Sequence, residues 1–180
     1  MPLEDCIVGH DVQLVEPANV YGCTIGDHVR IGPYVEIQRG AIIGSYVKIG
    51  SHSFLCGGIK VGDRVFIGHG VMTCNDVWPR GYAHQNESGS GEMYRLKGPG
   101  DWDNLPPVIE DGASIGSGAV LLPGVIIGEG AMIGAGAVVT MNIGADMVAV
   151  GNPARIVGTA PYLRQRRAGV HVLHRRIKDE

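Results

Sequence analysis

Every sixth residue from Ile25 is large and aliphatic: Ile25, Ile31, Ile37, Ile43, Ile49, Leu55, Val61 and Ile67. The residue after the anchor is glycine in six of these eight repeats. Four residues past each anchor stand Val29, Val35, Ala41, Val47, Ser53, Ile59, Val65 and Val71. The pattern returns at Ile109, Ile115, Leu121, Ile127, Ile133, Val139 and Ala145, with Ala113, Ala119, Val125, Ala131, Ala137, Ile143 and Ala149 in the small position. Val8, Leu14 and Val20 are degenerate upstream copies, one residue out of phase, as befits a terminal coil. A period of six scatters successive anchors around a 3.6-residue helix, which excludes an amphipathic helix. Alternation with hairpin turns is absent, which removes a β-sandwich. What remains is one short strand and one corner per six residues, with three such units making a triangular turn of 18. The anchor points inward, the small residue lets the next face approach, and glycine or a polar residue takes the corner, where positive φ is cheap. Stacked coils then pair as parallel strands about 4.8 Å apart. The pattern predicts an all-β parallel β-helix over residues 1–157.

From Val77 to Pro107 the rhythm is lost. This stretch holds both tryptophans, four prolines and a Gly/Ser-rich piece. A loop of about thirty residues in a compact domain is uncommon and tends to carry function. It leaves after Thr73 and the repeat resumes by Ile109, so it is expected to protrude from one edge and reach a neighbouring subunit. Residues 158–180, with six Arg or Lys after Pro161, predict a helical tail capping the open end.

The chain has 180 residues and 44% apolar content, enough for one domain with a core. Aromatics are only 6%, so the core must be aliphatic. A net charge of −3 supplies no field for nucleic acid or anionic membranes. The four cysteines form no CxxC pair and are expected to be reduced and buried. Without a basic, apolar leader or a membrane-length run, the expectation is a soluble cytoplasmic protein.

Candidate chemistry gathers at the corners. His52 and His69 fall on one edge in adjacent coils. Catalytic zinc needs three protein ligands and an open position. In the carbonic anhydrases of this fold a second histidine follows the first by five residues, and here that position is Cys74, so no metal is expected. Histidine is the residue type most used as a general base, which makes His69 a candidate. Asn75 and Asp76 sit at a corner, where side chains point outward, and can orient an acceptor. His69 and Asn75 lie on successive edges, so they can share a site only across a subunit boundary.

The runs IGDHVRIGPYVEI, VGDRVFIGHGV and IGEGAMIGAGAVV resemble the hexapeptide-repeat acyltransferase superfamily over residues 5 to about 157. That resemblance implies a left-handed coil, a homotrimer, and sites between subunits. The strings GPYVEIQRGA at 32–41, SHSFLCGG at 51–58 and FIGHGVMTCNDVWPRG at 66–81 are similar to nucleotide-linked amino-sugar N-acetyltransferases, particularly those acting on a 3-amino group. The implied reaction is acetyl transfer from acetyl-CoA to a dTDP- or UDP-linked amino sugar. It implies catalytic roles for His69, Asn75 and Asp76, and substrate contacts at Glu36, Gln38, His52 and Phe54. Coenzyme A is implied along the second repeat block at Gly118, Gly136 and Ala137, with Pro153 and Arg155 of the GNPAR string by the adenine. The loop is longer than the family's, with an extra acidic, Gly-rich piece at 86–103. Two alternatives remain open: an O-acetyltransferase on a sugar or small alcohol, and a non-catalytic β-helix subunit of an assembly. Coenzyme A binding separates the last from the enzymes.

Overall fold

The computed structural model describes residues 3–84, 94–96 and 100–160, with only the backbone at 82–84 and 94–96. It is a parallel β-helix of about seven turns. Its strands are mostly two residues long and fall on three faces. Face 1 stacks Asn19–Tyr21, Glu36–Ile37, Phe54–Leu55, Met72–Thr73, Val120–Leu121 and Val138–Val139. Face 2 stacks Thr24–Ile25, Ile42–Ile43, Lys60–Val61, Val108–Ile109 and Ile126–Ile127 above Ile7–Val8. Face 3 stacks Gln13–Leu14, Arg30–Ile31, Lys48–Ile49, Phe66–Ile67, Ser114–Ile115 and Met132–Ile133. Three edges join the faces. We call them the loop edge (face 1 to 2), the acidic edge (2 to 3) and the histidine edge (3 to 1).

Anchor meets anchor in register, Ile31 with Ile49, Ile49 with Ile67, and Ile67 with Ile115. The loop therefore inserts between coils without shifting the ladder. The first coil pairs Leu3 with Val20, Val8 with Ile25 and Leu14 with Ile31. Its spacing to the next coil is 17 residues instead of 18, which accounts for the upstream phase slip. The anchors from Ile25 to Ile67 and from Ile109 to Val139 are buried, as are the small positions four residues on. Ser53 and Thr73 are the buried polar residues among those described, and both are satisfied. The Ser53 hydroxyl donates to the Gly68 carbonyl at 2.8 Å, and that of Thr73 to the Phe54 carbonyl at 3.0 Å.

Two expectations need correction. Ala145 is not an anchor: the last coil is shorter, Ile143 pairs with Ile127, and Ala145 is exposed. The glycines after the anchors do not serve a positive φ. At Gly50 an added Cβ would lie 2.6 Å from the Gly68 carbonyl carbon, so glycine there permits coil-to-coil approach. The left-handed corner position lies two residues further on, and bulky Tyr34, Tyr46, His52 and Arg64 occupy it beside glycines. The long loop, read from sequence only as a stretch where the rhythm is lost, contains an antiparallel pair, Tyr82–His84 with Tyr94–Leu96. Its root is tied by a bridge between Asp76 and Asn104 and by the Leu105 amide donating to the Asn75 carbonyl at 2.8 Å.

At the other end Met147–Val150 joins face 3 and Arg155–Thr159 folds back antiparallel to it. The strand thus continues through residues 158–159, where a helix was expected. The remainder of the expected tail, 161–180, lies outside the described residues, as does most of the acidic piece at 86–103. Among the described residues no helix is long and apolar enough to cross a membrane.

All four cysteines are free thiols, with Cys23 and Cys56 buried. The Cys6 and Cys23 sulfurs are 3.5 Å apart. Burial, then the hydrogen bond and charge of Cys6, push the Cys23 thiol from 9.0 up to about 12. Burial also raises Cys56 and Cys74. The folded chain therefore keeps protons that the unfolded chain releases above about pH 9, and stability must fall as pH rises through that range. The urea midpoint is expected to be flat from pH 7 to 8.5 and to drop above pH 9, less steeply in Cys23→Ala. An identical drop in that variant would remove Cys23 as a cause.

Candidate functional site

Most of the proposed site residues fall into two constellations, at corners and the strand positions beside them that repeat once per coil. On the loop edge, Gln38 donates from Nε2 to Glu36 Oε1 at 3.0 Å. Its own Oε1 accepts the Gly57 amide at 3.1 Å. The Gly57 carbonyl in turn accepts Asn75 Nδ2 at 3.2 Å. Glu36, Gln38 and Asn75 are thus linked through one glycine, with half-buried Phe54 in register beside Glu36 on face 1. Asp76 turns inward on the loop root: its Oδ1 accepts the Trp78 amide at 3.0 Å. Trp78 is exposed next to it. This arrangement fixes Asn75 against the coil and sets the direction in which the loop departs.

The histidine edge carries the second constellation. His69 Nδ1 accepts the Ser51 backbone amide at 3.1 Å and lies 2.8 Å from the Ser51 hydroxyl. The His69 amide donates to Ser117 Oγ one coil further on, at 3.1 Å. A backbone amide can only donate, so Nδ1 bears no proton, the hydroxyl donates to it as well, and the neutral ring carries its proton on Nε2. His69 therefore presents an N–H rather than a lone pair beyond its own edge. His52, one corner position on, stacks face to face on Tyr34, with centroids 4.8 Å apart and planes 6° apart.

Of the residues expected near coenzyme A, Gly118 and Gly136 continue this histidine edge, both at positive φ. The Gly118 amide donates to the His69 carbonyl at 2.7 Å. Ala137 is fully buried with its side chain in the prism; its amide donates to the Gly134 carbonyl in the same corner and its carbonyl accepts the Val120 amide of the neighbouring coil. Its side chain is not available to a ligand. Pro153 lies at the far end, in the turn before the last strand, and Arg155 opens that strand, its Nη1 donating to the Ala154 carbonyl at 2.9 Å. Among the described residues no three His, Cys, Asp or Glu side chains group to hold a metal ion.

His69 and Asn75 do lie on different edges of one chain. The sequence reading missed Ser51 and Ser117, although both lie on the coil ladder of His69. It also passed over Arg30 and Lys48, whose 18-residue spacing places them one above the other.

The family described as bacterial transferase hexapeptide, six repeats, matches residues 22–57 and 106–140. These are the coils on either side of the loop. These coils carry the hexapeptide repeats of that family. A Dictyostelium discoideum protein named as an acetyltransferase is 59% identical over 56 residues, 31% of this chain and 30% of that protein. The match thus spans under a third of that relative's length. Among solved structures, a mutant of AntD, an N-acyltransferase from Bacillus cereus in complex with dTDP and coenzyme A, superposes with a TM-score of 0.65. It is 20% identical and covers 91% of this chain and 89% of its own. Serine acetyltransferase of Neisseria gonorrhoeae is 28% identical with a TM-score of 0.53, over 73% of this hexapeptide-repeat chain and 44% of that one.

Proposed function

We propose that this chain is an acyltransferase that moves an acetyl group from acetyl-CoA to the amino group of a nucleotide-linked sugar. The reading rests on the string at 66–81 together with a fold shared along nearly the whole chain with an N-acyltransferase that binds dTDP and coenzyme A. Acyl transfer from a thioester needs a neutral amine held against the carbonyl, and positioning supplies most of the gain. The Glu36–Gln38–Asn75 chain offers such positioning groups, and the N–H of His69 is a donor for an acceptor or acyl oxygen. The two edges meet only between copies, so the active unit is a homotrimer in this reading. Sedimentation equilibrium returning a 19.0 kDa species at micromolar concentration would remove the intersubunit site.

The deciding assay is mass spectrometry of products from acetyl-CoA and a panel of dTDP- and UDP-linked amino sugars. The panel needs both 3-amino and 4-amino compounds, since another AntD mutant was crystallised with dTDP-4-amino-4,6-dideoxyglucose. A 3-amino product is expected. A panel without any acetylated sugar would sink the reading. Likeness to serine acetyltransferase favours a second reading, O-acetylation, which the panel tests with matched hydroxyl sugars. Activity is expected to survive EDTA, and loss restored by zinc would overturn the metal-free mechanism.

A further inference from the structure

The outer column of face 3 reads Gln13, Arg30, Lys48, Phe66, each in register with the next. Arg30 and Lys48 occupy the same outward strand position in consecutive coils, about 4.8 Å apart along the stack. Like charges placed directly opposite destabilise a sheet. Yet among the described residues neither has a carboxylate within ion-pair distance, in a chain whose net charge is −3. Lys48 Nζ lies over the Phe66 ring, 5.9 Å from its centroid. Asp11, the acidic group nearby, is paired with His28 at 3.3 Å.

Two grooves meet at this cation pair and share Gln13, Arg30 and Lys48 as walls. The larger, about 730 Å³, runs toward the acidic edge and is walled there by His28, Tyr46 and the Asp11 that His28 pairs. Their rings are stacked, with centroids 4.7 Å apart and planes 24° apart. The smaller, about 200 Å³, runs toward the histidine edge and ends at Ser51 and His69. One face thus presents, in order, an aromatic stack, two uncompensated cations, and His69.

We propose that Arg30 and Lys48 bind the diphosphate of the nucleotide-linked substrate, with the nucleoside against the His28–Tyr46 stack and the sugar toward Ser51 and His69. This rests on the nucleotide-sugar reading above. A guanidinium grips two phosphate oxygens with its planar fork, an ammonium adds a point charge, and the pair matches the two charges of a diphosphate diester. Aromatic faces accept a base by stacking. Coenzyme A also carries a diphosphate. The order of the three features matches nucleoside, diphosphate and sugar, and both cations lie in the first repeat block, whereas Gly118 and Gly136 lie in the second.

Isothermal titration of the full chain with dTDP, UDP, thymidine and coenzyme A, at low and physiological salt, tests the proposal. Wild type is expected to bind both nucleoside diphosphates and not thymidine, with affinity falling as salt rises. Arg30→Ala and Lys48→Ala should each weaken dTDP binding at least tenfold and leave coenzyme A within twofold. The exchange Arg30→Lys with Lys48→Arg should retain most of the dTDP affinity, which separates charge from a folding defect. Unchanged dTDP binding in the double alanine variant, parallel loss of coenzyme A, or a wild type that binds no nucleoside diphosphate overturns the proposal. Failure of the acetyl-transfer reading looks different: dTDP binding lost in the variants while wild type acetylates no amino sugar. Acetylation with an unchanged KM in the double variant leaves that reading standing and removes this site.

Discussion

Replacing Gly68 by alanine is expected to cost about 3 kcal/mol of stability, the upper end for overpacking a closely packed site. The same change at Gly70 should cost about 1 kcal/mol, the lower end for an L-residue in the left-handed region. Both glycines flank His69, and sequence alone ranks them equal. At Gly68 the added carbon would sit 2.5 Å from the Ser117 amide nitrogen and 2.8 Å from its Cα, so relief requires separating two coils. Gly70 has φ of +64° and open space around the added carbon. Its penalty is confined to the backbone, and Tyr34 and His52 already bear that penalty at equivalent corners. Urea midpoints of the two variants decide the matter, because the predicted gap exceeds the usual error of extrapolation. Equal losses, or a greater loss at Gly70, would mean that coil spacing is not what the glycines after the anchors protect.

That contrast also marks how far the sequence could be read. The anchors and their small partners specify inward packing at fixed spacing, and a packing rule repeated fourteen times over is visible without coordinates. Ala145 failed because the last coil shortens, and shortening at a terminus leaves the aliphatic period formally intact while moving Ile143 into the core. The antiparallel pair in the loop was missed because two three-residue strands carry too little alternation to register. Among the candidate site residues, His69 and Asn75 were singled out from their local strings, and their placement on separate edges followed from counting by six. Ser51 was not found, because its relation to His69 exists only through the 18-residue stacking of coils. The proton position on His69 likewise depends on the direction of a backbone amide, which no side-chain pattern encodes.

With an amino-sugar acceptor, Asn75→Ala should lower kcat/KM about a hundredfold, the loss typical of a misplaced reactant. His69→Ala should lower it by only about tenfold, well below the 10²–10⁴ that general-base help typically contributes. The neutral His69 ring accepts two hydrogen bonds at Nδ1 from Ser51 and carries its proton on Nε2, so it has no free lone pair with which to deprotonate an amine. A sugar amine that is already neutral can attack, and the departing thiolate can take its proton. Asn75, held against the coil by the Gly57 carbonyl and joined through Gly57 to Gln38 and Glu36, would on the proposed reading orient an acceptor that still needs orienting. His69→Gln sharpens the test, since glutamine can restore an N–H near Nε2 but cannot act as a base. Retained activity in His69→Gln with a tenfold loss in His69→Ala is the expected pair. For a hydroxyl acceptor the order must reverse, because an alcohol is a poor nucleophile at neutral pH without a base. If His69→Ala and His69→Gln are both more damaging than Asn75→Ala with one identified amino sugar, then His69 is the base, and Ser51 must release Nδ1 when substrate binds.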